Sequence, residues 1–248
     1  MDALTFGRLR DFGRLDQALL LLSIAASAAF MATRAIQPFP GSAVLKGLAV
    51  APLTVLAFRV LGKAERRAGH VGRGGIRESR LLASALALSC VGDVLLQLGL
   101  RRYFLHALGA FLLAHIVYIL LFARNWPRPL RPPTARVILA ALVLVYGVSM
   151  CGWLWSGLSR FLVPALAYAS ALTAMTVSAI LTGFSRPFVS IGAVLFLISD
   201  SLLAAGFKVS LPLAAFLIWP TYYLGQYGIT LGLLREKAAD DRPLALNR

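Results

Sequence analysis

Apolar runs long enough to cross ~30 Å of hydrocarbon at ~1.5 Å per residue recur eight times along this 248-residue chain. They lie at about 16–33, 43–61, 80–99, 104–123, 135–154, 161–181, 187–206 and 212–234. Within lipid each backbone N–H and C=O needs a partner inside its own segment, so apolar runs of this length must be helices. Charged residues make up 14% of the chain, well below the ~25% of a soluble domain. Connections are short, which predicts an all-α polytopic membrane bundle of eight transmembrane helices. It forms one domain over 16–234, between an N-terminal segment 1–15 and a C-terminal tail 235–248.

The net charge of +15 is sorted by side. Alternate connections hold Arg8, Arg10 and Arg14, seven basic residues from Arg59 to Arg80, four from Arg124 to Arg136, Arg186, and four from Arg235 to Arg248. The remaining connections hold only Arg34, Arg101, Arg102, Arg160 and Lys208. The positive-inside rule then makes both termini cytoplasmic. Such a surface suits anionic headgroups of the lipid bilayer, not nucleic acid, and the plasma (inner) membrane is the expected location. No cleavable signal peptide is read, because the first apolar run is long enough to span and lacks a cleavage site. Cys90 and Cys151 fall inside helices and read as packing residues. The loop from Gly62 to Ser79 is rich in Gly and basic residues but follows no strand, so it is no phosphate-binding fingerprint. Four prolines between Pro127 and Pro133 mark an extended linker that divides the chain into halves of four helices.

Two aspartates stand inside apolar runs, in Gly92-Asp93-Val94-Leu95-Leu96 and Ser199-Asp200-Ser201-Leu202-Leu203. A carboxylate at the bilayer centre costs at least ~2.5–3.5 kcal/mol, so it marks function by default. No other acid lies inside an apolar stretch. The contexts match beyond the aspartates: Ala110-Phe111-Leu112 with Tyr118 follows the first, and Ala215-Phe216-Leu217 with Tyr223 follows the second, at identical internal spacing. The expectation is a 4+4 parallel internal repeat, with an axis along the membrane normal. It sets Asp93 and Asp200 at one depth, ~10 Å below the non-cytoplasmic boundary.

Polar residues that share this interior include Ser89, Asp93 and Gln97, one stripe on helix three. His115 and Tyr118 lie on helix four, Tyr168, Thr173 and Thr176 on helix six, and Tyr222, Tyr223, Gln226 and Thr230 on helix eight. Lys46 interrupts helix two near its outer end. Each also suits a plainer role: Lys46 as a snorkelling anchor, the tyrosines as an interfacial belt, the aspartates as interhelical locks. No spacing signature supports a metal site, and no cofactor is expected. Oligomeric state is not legible.

The aspartate motifs, the helix from Ala110 to Tyr118, and Thr221-Tyr222-Tyr223-Leu224-Gly225-Gln226 together resemble the YhhN family, which includes the TMEM86-type lysoplasmalogenases. The resemblance runs from about Leu45 to Leu234. One departure is that the family's second helix usually carries Lys-Pro, whereas Lys46 precedes Gly47 and Pro52 comes later. The resemblance implies a hydrolase that cleaves the vinyl ether bond of lysoplasmalogens to a fatty aldehyde and a glycerophospho-base. Asp93 and Asp200 would then share acid and base roles, by analogy with the paired carboxylates of glycosidases. His115, Tyr118, Tyr222, Tyr223 and Gln226 would orient carboxylates and water, and Lys46 would hold the phosphate of the lysophospholipid substrate. The rival readings are a proton-coupled transporter or channel using the same aspartates, and a lipid-binding scaffold.

Overall fold

The computed structural model describes residues 13–67, 78–155, 161–210 and 213–240. Expectations placed on 1–12, 68–77, Arg160 and 241–248 lie outside these residues. Eight long helices form, α1 (Arg14–Ala32), α2 (Ser42–Arg67), α3 (Glu78–Leu98), α4 (Leu100–Arg124), α5 (Thr134–Trp155), α6 (Leu162–Ile180), α7 (Phe188–Ala205) and α8 (Ala214–Asp240), with a 3-10 turn at Arg34–Ile36. Seven, α1 to α7, are long and apolar enough to cross a membrane. This is an integral membrane protein. α8 turns Trp219, Tyr222, Tyr223, Gln226 and Thr230 inward, all buried, and leaves Phe216, Leu217 and Leu224 exposed. α2 continues past the expected end at 61, and α8 past 234 into the expected tail.

Consecutive helices pack within each half: α1 on α2, α2 on α3, α3 on α4, then α5 on α6, α6 on α7 and α7 on α8. Two extensive pairings join the halves, α4 with α6 and α2 with α8. The α7–α8 seam is built on glycines. A Cβ on Gly192 would lie 2.7 Å from the carbonyl oxygen of Gly225, and one on Gly225 would lie 2.9 Å from that of Gly192. Lipid supplies no hydrophobic force between helices, so this close backbone contact is what dispersion packing in a membrane requires.

Polar ties gather at one end, where α1, α3, α5 and α7 begin. Arg59 Nε lies 3.0 Å and Lys63 Nζ 3.8 Å from the carboxylate of Asp16. Asp16 is therefore a buried acid like Asp93, hidden from the sequence reading because it opens an apolar run instead of interrupting one. Lys237 Nζ pairs with Glu78 at 3.1 Å and donates to Asn125 Oδ1 at 2.9 Å. Glu65 accepts from Ser79, Glu236 accepts from Ser185 and the Arg186 N–H, and Arg136 donates to the carbonyls of Thr182 and Phe184. These bonds stitch together the loop ends of all eight helices.

Candidate active site

Both aspartates lie at the opposite end, each five residues before the last residue of its helix. Gly92 lets the ring of Phe111 press onto α3, since a Cβ there would sit 2.6 Å from it. Asp93, one residue on, is turned toward α2 and α8. Its Oδ1 lies 3.4 Å from Lys46 Nζ, and its Oδ2 accepts from Tyr222 OH at 2.5 Å. Gln226 Nε2 donates to Tyr222 OH at 3.3 Å, and Tyr118 OH donates to Gln226 Oε1 at 2.6 Å. Lys46 lies 5.5 Å from the Trp219 ring centroid and 5.8 Å from that of Phe30, a cation-π seat. Trp219 is itself held by its N–H to Ser27 Oγ, 3.1 Å.

Asp200 is half-buried and takes a different partner, the hydroxyl of Tyr168 on α6, which donates to its Oδ2. No cation pairs with it among the described residues. Its neighbours Ser199 and Ser201 donate to the carbonyls of Ile218 and Leu197, which leaves them out of the carboxylate's environment.

The two acids border one cavity of about 160 Å³, whose polar end is formed by Lys46, Asp93, Tyr168, Asp200 and Tyr222. The other site candidates stand further back. Tyr118 and Gln226 are fully buried behind Tyr222 and reach the cavity only through it. His115 is fully buried, with its ring edge-on to Tyr168 (4.9 Å between centroids) and Phe196 (5.2 Å). It does not line the cavity. Tyr223 turns away toward α1, 2.8 Å from Ser23 Oγ. Tyr168 and Trp219, by contrast, border the cavity. Tyr168 stood among the polar residues of helix six with nothing to single it out, and Trp219 carries no polar signal in an apolar run. Among the described residues no three His, Cys, Asp or Glu side chains cluster as a metal site would need.

Chemically, the site offers one carboxylate balanced by an ammonium ion, one without a counter-ion, and two tyrosine hydroxyls, at the edge of an apolar chamber. Such a set of groups can donate and accept protons.

The sequence model of the YhhN family matches residues 41–233. A protein named lysoplasmalogenase from Mycobacterium bovis is 32% identical over 213 residues, which cover 83% of this chain and 78% of that one. Lysoplasmalogenase TMEM86B of Sus scrofa is 32% identical over 188 residues, 75% of each chain, and its namesake in Homo sapiens is 34% identical over 159 residues, 64% of this chain and 65% of that one. No solved structure matches. The matched span takes in α2 to α7 and most of α8, including both aspartates and their lysine and tyrosine partners, and the chain belongs to the YhhN family.

Proposed function

We propose that this protein is a lysoplasmalogenase, hydrolysing the vinyl ether bond of alkenyl lysophospholipids to a fatty aldehyde and a glycerophospho-base. The observation that carries the reading is the pair of intramembrane aspartates bordering one cavity with unlike partners. The names of its relatives point the same way.

Charge balance assigns the roles. Lys46 neutralises Asp93, so Asp93 is the carboxylate. A second anion in apolar surroundings has no counter-ion, so Asp200 is the group that carries a proton. Asp200 gives its proton to the alkene carbon remote from the ether oxygen, and the electrons of the double bond shift to leave an oxocarbenium ion. The charges then present are two carboxylates, one ammonium and one oxocarbenium, the same total as before. Asp93 takes a proton from water as its oxygen attacks the cationic carbon. In the resulting hemiacetal Asp200 removes the hydroxyl proton, Asp93 protonates the departing glycerol oxygen, and the C–O bond breaks to give aldehyde and alcohol. Each acid returns to its starting state. Tyr222 and Tyr168 hold the two carboxyl groups in place, with Gln226 and Tyr118 behind Tyr222. Lys46 acts through Asp93.

The arrangement is that of eight spans with both termini cytoplasmic, which puts the site in the outer half of the plasma membrane. A 4+4 repeat is supported by the helix pairings: shifting each helix by four turns the α4–α6 contact into α8–α2, the other extensive pairing between halves. A proton-coupled carrier is less well supported, because the hydrogen-bonded chain from Asp93 ends at Tyr118, stacked on the fully buried Phe122. The test is aldehyde release from a defined alkenyl lysophospholipid by the purified protein. Proton flux in proteoliposomes without hydrolysis would overturn the reading.

A further inference from the structure

The proposed chemistry uses one end of the cavity. The rest is an apolar arm walled by Leu108 of α4, Met150 and Leu154 of α5, and Ala169 and Leu172 of α6. α5 is the outer wall, and its one extensive pairing among the described helices is with α6. α4 and α5 thus both line the cavity without packing extensively along each other. Their outward faces, with Leu105, Leu113, Leu142 and Val145, are exposed as lipid-facing surface would be. The other flank of α5 is latched, since Lys208, just beyond α7, donates to the Trp153 carbonyl at 2.5 Å. The outer end is covered by Phe104 against Phe161 and Phe207, each with centroids 5.4 Å apart. Inward, the arm closes where Gly147 meets the Thr173 side chain.

We propose that this arm is a binding site for a single hydrocarbon chain, which slides sideways out of the bilayer through the seam between α4 and α5. The inference rests on the lysoplasmalogen reading for the nature of the headgroup and adds where its chain lies. The arm is continuous with the carboxylates, so an amphiphile whose reactive bond joins chain to glycerol sets that bond between Asp93 and Asp200 once its chain is seated. From Ala165 to Thr173 the arm is ~12 Å deep at ~1.5 Å per residue, less than the ~15 Å of one leaflet. The last carbons of a long chain therefore trail back through the seam into lipid. The site grips the carbons next to the reacting bond and is indifferent to the chain's end.

Photo-cross-linking of the full-length protein tests this. The probe is an alkyl ether lysophosphatidylcholine with a diazirine a few carbons from the ether oxygen; lacking the vinyl bond, it reports binding without turnover. Adducts are expected on Met150, Ala169 and Leu172, and are expected to disappear under excess unlabelled lysophospholipid. Ala169→Phe, which fills the arm, should abolish them, with Met150→Trp as a second filling variant. Adducts confined to lipid-facing residues such as Leu142 and Val148, unaffected by competitor, would overturn the proposal. Aldehyde release by the wild type, assayed alongside, separates this failure from failure of the hydrolase reading, because labelling does not depend on hydrolysis.

Discussion

Asp93 and Asp200 differ in what surrounds them, and their variants should differ accordingly. Asp200→Asn removes the proposed acid without disturbing an ion pair. Aldehyde release should fall about 10²–10⁴-fold, the usual range for a general acid, with the thermal transition in detergent unchanged. Lys46→Met leaves Asp93, only 2% exposed, as an uncompensated buried charge. A loss of about 3–5 kcal/mol of stability is expected together with loss of activity. Adding Asp93→Asn to that variant should restore the melting temperature but not the activity, a non-additivity that reads the pair directly. Tyr168→Phe deletes one hydrogen bond to a carboxyl group, worth about 0.5–1.5 kcal/mol in other settings, so turnover should drop without loss of fold. The aspartates were legible because a charge in an apolar run has no cheap structural reason to be there. Tyrosine and histidine in membrane helices have several such reasons, so sequence could not separate Tyr168, which meets Asp200, from Tyr223, which meets Ser23. Tyr118 and Tyr223 match in spacing yet hold different partners, so spacing along the sequence does not carry their contacts.

Helix boundaries followed from length and hydropathy to within a few residues except at the ends of α2 and α8, where polar side chains let the helix continue beyond the hydrocarbon. Less visible were the surfaces that fix one helix against another. Glycine in an apolar run signals close approach only once the partner is known. At the α7–α8 seam the obstacle to a Cβ at Gly192 is backbone, 2.7 Å away, which cannot rotate aside. Gly192→Ala is expected to lower stability by about 1–3 kcal/mol, as overpacking does. Gly228→Ala, whose new carbon would find its nearest neighbours at 3.4 Å, should be tolerated far better. Thermal unfolding of the two variants in the same detergent checks the contrast.

At the scale of the whole molecule, four of the basic residues that the sequence assigned to one face, Arg59, Lys63, Arg136 and Lys237, act as fasteners, pairing with Asp16, Glu78 and neighbouring carbonyls to knit the helix ends. At the end that carries Asp93 and Asp200, the rings of Phe104, Phe161 and Phe207 pack together. Amide hydrogen exchange should accordingly be slower in the first turns of α3 and α7 than in their last turns, beside the aspartates. A uniform rate along both helices would contradict this. A bundle clamped at its base and loose at its rim can spread one pair of helices while the others stay in register. A membrane enzyme could then take in a new lipid and expel an aldehyde by small outward bending of α5, without a moving domain or an expenditure of fuel.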